Sequence, residues 1–341
     1  MQDISRSLSG MKVLMVNGED LDVSEMLSSQ RMSVLRPLVA GYDCLFIDEA
    51  QHIPGIGRNL KLLVDSIPEL SIMVTGSATL DLREKLGEPL AGRGSNFYLF
   101  PLAQLELGQD FLMARNDLET RLIYGCYPQV YTAESDDERT RILESIHNGV
   151  LLKDLLMMDN MKDATFILNL LRLIAFQIGN DASLSELANR LGVSKNTVAR
   201  YIDLLEKCQI LFSMQAFSRN LRNEISKSKR YFFWDNGIRN AVISNFNRLS
   251  LRDDAGRLWE NYCISERMKR NHYKGVSCSY YFWRTYQQRE IDLIEESAGH
   301  LRAFEFKLTP KSLRPPPDFI AAYPHSSFEQ INRDNYLTFI A

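Results

Sequence analysis

Three short apolar runs constrain the first quarter of this chain more than anything else in it: "VLMV" at 13–16, "CLFI" at 44–47 and "SIMV" at 71–74. Each ends in a polar residue, Asn17, Asp48 or Thr75. The segments between them have helical character. "GRNLKLLVDSIPEL" puts Leu60, Leu63, Val64 and Ile67 on one face. Strand, helix, strand, helix, strand predicts a parallel sheet. Val13, Leu14, Met15, Leu45, Phe46, Ile47, Ile72, Met73 and Val74 should supply three buried strands. Asp48 and Thr75 then sit at C-terminal strand ends, where open α/β sheets bind ligands.

The chain has 341 residues, enough for two or three domains with real cores. A net charge of −3 argues against a polyanion binder by bulk charge, so local basic segments must carry any such function. The five cysteines form no C-x-x-C pair. This fits a reducing compartment and gives no zinc site. No run of about 18 apolar residues predicts a membrane helix, and "MQDISRSLSGMK" lacks a signal peptide's apolar core. A cytoplasmic protein with no membrane partner is expected.

"LFIDEAQ" places two adjacent acids directly after a strand. Magnesium prefers carboxylate oxygen and keeps several waters, so Asp48 alone could hold it beside a phosphate. Glu49 could accept a proton from an attacking water. Two solvated acids at a strand end would look the same in isolation. The surroundings add Ser77 in "VTGSAT" at the neighbouring strand tip, and Arg93 in "PLAGRGS", free to reach a phosphate.

These segments, with "VNGEDLDV", "LFPLAQLE", "YGCYPQV", "YFFWDNGIRNAV" and "YFWRTYQQREIDLIE", resemble one family in order along nearly the whole chain. It is the prokaryotic AAA-type (P-loop) ATPase family that joins an ATPase module to a C-terminal domain of unknown function related to the PD-(D/E)xK nuclease fold. The resemblance implies that Asp48 and Glu49 are the Walker B pair. It places Ser77 in the sensor strand and makes Arg93 a phosphate-sensing candidate. ATP and magnesium are the implied cofactors of an intact member. One departure matters. The phosphate loop G-x-x-x-x-G-K-[ST] occurs nowhere in the 341 residues, and that loop provides most of the phosphate grip. The expectation is a family member lacking its first few dozen residues, with Asp48 and Glu49 as half of a site. The sheet edge left open should then be apolar, and the chain should form a homo-oligomer or cover that edge with its own N-terminal residues.

"ASLSELANRLGVSKNTVARYIDLLEKCQIL" has the pattern of a helix-turn-helix. Ser183 should cap the first helix with Glu186 completing a capping box, Gly192 should take the turn's positive φ, and Ser194 should cap the second helix. Val198, Ile202 and Leu205 form that helix's core face, leaving Lys195, Asn196, Thr197 and Arg200 where a recognition helix meets DNA. Over 218–231, Arg219, Arg222, Lys227, Lys229 and Arg230 oppose only Glu224, a basic wing of net charge +4. A winged helix used only for packing is the competing reading.

"EIDLIEESAGHLRAFEFKL" carries a D-x(n)-E-x-K arrangement. Period 2 places Glu305 and Lys307 on one strand face. A hairpin at "SAGH" would bring Asp292 beside them, and Glu260 on the preceding helix could add a fourth group. Such carboxylates can hold magnesium or manganese while the lysine orients a water. An ordinary ion pair on a strand is the alternative.

The expected architecture is α/β: a partial P-loop ATPase parallel sheet over 1–117, a helical linker or lid over 118–178, a winged helix-turn-helix over 179–236, and a PD-(D/E)xK nuclease-like α/β domain over 237–341. The expected function is that of a truncated AAA-type ATPase homologue acting on DNA or a DNA-bound partner. A metal-dependent nuclease and a non-enzymatic DNA-binding or interaction module are the alternatives.

Overall fold

The computed structural model describes residues 1–76, 94–151, 164–219, 229–311 and 313–341. They divide into two compact units, 1–98 and 99–341.

The first unit opens with a short helix α1 (Gln2–Ser7) and strand β1 (Val13–Asn17). Helices α2 (Leu21–Ser28) and α3 (Met32–Val39) lead to β2 (Cys44–Asp48). Helix α4 (Ile56–Ser66) then leads to β3 (Ser71–Val74). Asp20 starts α2 by accepting the amides of Asp22 and Val23. The strands are parallel in the order β1-β2-β3, with Asn17 beside Asp48 and Ile47 beside Val74. Leu27, Leu35, Leu45, Ile47, Ile56, Leu60 and Leu63 form the core. Three buried strands were expected, but only β2 is buried, from Cys44 through Ile47. In β1 and β3 most residues are half-buried and Met15 is exposed. Both are edge strands among the described residues, so one flank of each lacks a neighbour to cover it. Met1 does reach the tip of β3, its sulfur 3.9 Å from Thr75 Oγ1.

The second unit begins with helices α5 (Phe111–Tyr124), α6 (Asp136–Ser145) and α7 (Ala164–Phe176). The pair α8 (Leu184–Leu191) and α9 (Lys195–Lys207) follows. Gly192 makes the turn between them at φ 68°. Strands β4 (Leu211–Ala216) and β5 (Lys229–Phe233) are antiparallel. Helices α10 (Asn236–Val242) and α11 (Ala255–Tyr273) precede β6 (Ser279–Arg284), β7 (Glu290–Ser297) and β8 (His300–Phe306). The proline run at 315–317 leads into a short helix α12 (Pro317–Ala322), before β9 (Ser327–Ile331) and α13 (Tyr336–Ile340). All six strands form one sheet in the order β5-β4-β6-β7-β8-β9. The hairpin strands after the helix pair are therefore part of the sheet that carries Asp292 and Glu305.

The segments "YGCYPQV" and "YFFWDNGIRNAV" meet in this unit. Buried Asp235 accepts the amides of Cys126 (2.7 Å) and Ile238 (3.1 Å), capping α10 and pinning the end of α5. Gly125 takes φ 70° against this carboxylate, where a Cβ would collide with it. "LFPLAQLE" is tied down likewise, with Gln104 N donating to buried Glu266 at 2.6 Å.

Candidate functional site

Asp48 ends the central strand of the N-terminal sheet, and its side chain is exposed. Its Oδ1 accepts from the Thr75 hydroxyl, one strand over, and from the Glu49 amide at 3.2 Å. No bond is made to Oδ2 among the described residues. Glu49 follows in the left-handed region at φ 51°. A non-glycine residue there is uncommon, and such strain clusters at functional sites. The turn that imposes it is short: Glu49 caps a single 3-10 turn, and Ala50 N donates to Thr75 O at 3.0 Å. Gln51 binds the Glu49 carboxylate. On the other side Gly18 N donates to Asp48 O at 2.8 Å, and a Cβ on Gly18 would strike the Glu49 carbonyl. The "VNGED" and "IDEAQ" turns are thus interlocked. One free carboxylate oxygen fits magnesium, which needs few protein ligands. Ser77 and Arg93 lie outside the described residues.

A second set of ionisable groups sits in the C-terminal sheet. Tyr281 pairs with Ile294 and Trp283 with Ile291, so Phe282 alone faces both Asp292 and Leu293. This is a β-bulge, a device that re-aims side chains. Pairing between β7 and β8 stops at Leu293–Phe304. Beyond it, Asp292 Oδ2 takes the Phe306 amide at 2.8 Å in place of a ladder bond. Burial pushes the Asp292 carboxyl up to about 7, and the Glu305 charge adds to the shift. Burial also raises Glu260 well above the usual carboxylate range, with Asp292 as the next cause and Arg230 opposing. Glu260 packs against Gly179 (φ 72°), with both carboxylate oxygens 3.3 Å from where a Cβ would stand.

Glu260, Asp292, Glu305 and Lys307 are thus drawn into one electrostatic neighbourhood, but not into a metal centre. Among the described residues no three Asp, Glu, His or Cys side chains are set to hold one ion. Only Glu305 is bonded by a cation, whereas Glu260 Oε1 is buried and has no hydrogen-bond partner among the described residues. Lys307 Nζ binds Glu305 at 2.7 Å, and Arg230 lies 3.9 Å from Glu260.

Arg230 also corrects the picture of the wing. It is 4% exposed and holds Asp181 (3.1 Å) and Glu290 (2.7 Å), its guanidinium 4.3 Å over the Phe282 ring. It is a core cation, unavailable to a polyanion. β5 is buried on both faces beyond Lys229, so Arg230 enters the core with its neighbours. Arg219 pairs with Glu296, while Lys229 is exposed. Arg222 and Lys227 lie outside the described residues.

On α9, Val198, Ile202 and Leu205 are buried as expected, and Lys195, Asn196 and Arg200 are exposed. Thr197 is turned back to the cap: its amide and hydroxyl both meet Ser194 Oγ, at 3.1 and 2.9 Å. Arg200 packs over the Tyr201 ring at 5.3 Å. Asp203, an acid later on the same helix, pairs with Lys207 at 3.4 Å. Ser183 caps α8 through the Ser185 amide, but the expected capping box does not form. Glu186 binds Arg190 at 2.9 Å and Gln177 at 3.4 Å instead.

Residues 1–108 match the family model of an AAA domain. Residues 115–249 and 255–326 each match a domain of unknown function, DUF8612 and DUF4143. An uncharacterized protein of Mycobacterium tuberculosis is 27% identical over 266 residues, 77% of this chain and 58% of that protein. One of Haemophilus influenzae is 26% identical over 270 residues, 75% of this chain and 63% of that protein. One of Methanocaldococcus jannaschii is 24% identical over 227 residues, 58% of this chain and 48% of that protein. The chain thus spans roughly half to three fifths of the length of these curated relatives. No solved structure matches. The matches support the AAA-type ATPase family for the N-terminal region, in agreement with its parallel α/β sheet. Among the described residues no helix is long and apolar enough to cross a membrane.

Proposed function

We propose that this chain is an AAA-type ATPase homologue whose N-terminal unit holds the magnesium and water-activating half of a nucleotide site. Its α8–α9 pair would act as a DNA-contacting winged helix. The observation that carries the first part is the tip of β2: Asp48 fixed by Thr75 from the next strand, and Glu49 held at positive φ immediately after it. Asp48 would ligate magnesium when MgATP is bound, and Glu49 would take the proton from an attacking water. The grip on the phosphates must come from backbone amides and a lysine that the 341 residues do not include as a motif. Calorimetry with magnesium and ATP therefore separates two cases. The 341-residue chain should show no tight binding. A chain extended by a strand, a G-x-x-x-x-G-K-[ST] loop and a helix should bind in the micromolar range, about −8 kcal/mol. Micromolar binding by the unextended chain, or none by the extended one, would overturn the reading.

The C-terminal sheet is read as related to the PD-(D/E)xK nuclease fold but as a binding module, because Lys307 holds Glu305 and no three candidate ligands converge among the described residues. DNA incubated with magnesium or manganese should stay intact. Cleavage that Asp292→Asn removes would overturn this.

A further inference from the structure

Where α11, α13, β8 and β9 meet, a cleft of about 270 Å³ is lined by Arg267, Arg270, Arg302, Ser327, Glu329 and Thr338. Arg267 forms a rigid floor. Its Nε and Nη2 take both oxygens of fully buried Glu295, at 2.7 and 2.9 Å, and its Nη1 donates to Phe339 O at 2.6 Å. Arg302 stands beside Ser327 in the β8–β9 register and touches Glu295 through Nη2 at 3.0 Å. Arg270 donates through Nε to Ala341 O at 2.9 Å and through Nη1 to Asn271 at 3.0 Å.

Arg270 Nη2, the Nε and Nη1 of Arg302, and the Ser327 hydroxyl make no hydrogen bond among the described residues. The Thr338 hydroxyl is already donated to Asn335 O at 2.7 Å. Three guanidinium groups face two acidic side chains here, and Arg270 shares the Ala341 oxygen with Lys274, which lies 3.1 Å from it. Glu295 is spent on Arg267 and Arg302, and Glu329 has Asn335 at 3.4 Å. Arg270 is held below its usual range by burial first and then by Arg267 and Arg302, with Glu295 opposing.

Two guanidinium forks with spare N–H groups and a hydroxyl, lining one cleft, match an oxyanion such as phosphate. We propose that this cleft binds a phosphate group, gripped by Arg270, Arg302 and Ser327. The site is independent of the nucleotide chemistry at Asp48. Its volume exceeds that of a bare phosphate, so a phosphate at the end of a nucleic-acid strand and a free phosphate ion are the two sources to separate.

The test is calorimetry on the 341-residue chain. Inorganic phosphate is compared with sodium chloride at equal ionic strength. A 5′-phosphorylated oligonucleotide is compared with the same strand lacking that phosphate. Phosphate should bind and chloride should not. A gain of roughly tenfold for the phosphorylated strand assigns a strand end, and no gain assigns the free ion. Arg302→Gln should weaken either by roughly tenfold or more, and Ser327→Ala by a smaller factor, about threefold. Should Arg302→Gln disturb folding through Glu295, Arg270→Gln with Ser327→Ala carries the test. Equal response to phosphate and chloride, or phosphate binding unchanged in these variants, would overturn the proposal.

Discussion

Replacing Arg230 by Met removes the cation at the centre of the C-terminal cluster while keeping most of its volume. The guanidinium is 4% exposed and serves Asp181, Glu260 and Glu290 at once. Its arms to Asp181 and Glu290 reach side chains that are 27% and 45% exposed, so each contributes no more than about 1 kcal/mol. The larger loss is Glu260, 16% exposed, left beside Asp292 and Glu290 with its main compensating charge gone. Removing one partner of a buried pair costs about 3–5 kcal/mol. A folded unit has about 5–15 kcal/mol in total. For a unit of this size that corresponds to a fall in Tm of about 6–20 °C. The sign with pH follows from Glu260, whose carboxyl is already raised in the folded state. Such a group adds stability below its unfolded pKa and loses it as pH rises through the folded value. Removing Arg230 raises Glu260 further, so the deficit should be large at pH 8 and shrink at pH 5. Urea unfolding at both pH values measures it, and Glu260→Gln in the Arg230→Met background should recover part of the loss at pH 8. A deficit under about 1 kcal/mol, or one equal at the two pH values, would refute the assignment of Arg230 as the core counter-ion.

Asp292, raised to about 7, contributes stability below about pH 4 that is lost as pH rises to about 7. Asp292→Asn should flatten this part of the stability curve in urea titrations, and an unchanged slope would contradict the shift. If α9 and the wing touch DNA phosphates through Lys195, Arg200, Arg222 and Lys229, log–log salt plots of duplex binding should have a slope of about −3 to −4. Arg222→Ala with Lys229→Ala should reduce the slope by about two, whereas an unchanged slope, or no binding at low salt, favours a packing role.

The N-terminal sheet was legible because its signal is local. Apolar runs, an amphipathic α4 and polar strand ends each lie within one window of sequence, and β1-β2-β3 follow in order. The positions of Asp48 and Thr75 came with them. The helix pair was legible for the same reason, since Ser194, Gly192 and the Val198–Ile202–Leu205 face are short-range features. What failed depended on distant partners. Glu186 suits a capping box by spacing, but its carboxylate meets Arg190 and Gln177 instead. Arg230 reads as one more basic wing residue until Asp181, Glu260 and Glu290, from three other segments, close around it. Asp292, Glu305 and Lys307 share a motif, but nothing in the motif reveals that Lys307 pairs with Glu305 or that Asp292 accepts the Phe306 amide. The union of β4 and β5 with β6–β9 in one sheet rests on the two-residue β4–β6 pairing, Gln215–Tyr281 and Ala216–Phe282, which no local pattern encodes.

The most direct test of the N-terminal assignment is single-turnover ATP hydrolysis by a chain extended with the phosphate-loop segment, with and without Glu49→Gln. General-base assistance contributes about 10²–10⁴-fold. The expected result is a loss of hydrolysis in that range with ATP binding retained. Hydrolysis unchanged in Glu49→Gln would contradict the claim that the β2 tip carries the water-activating half of a nucleotide site.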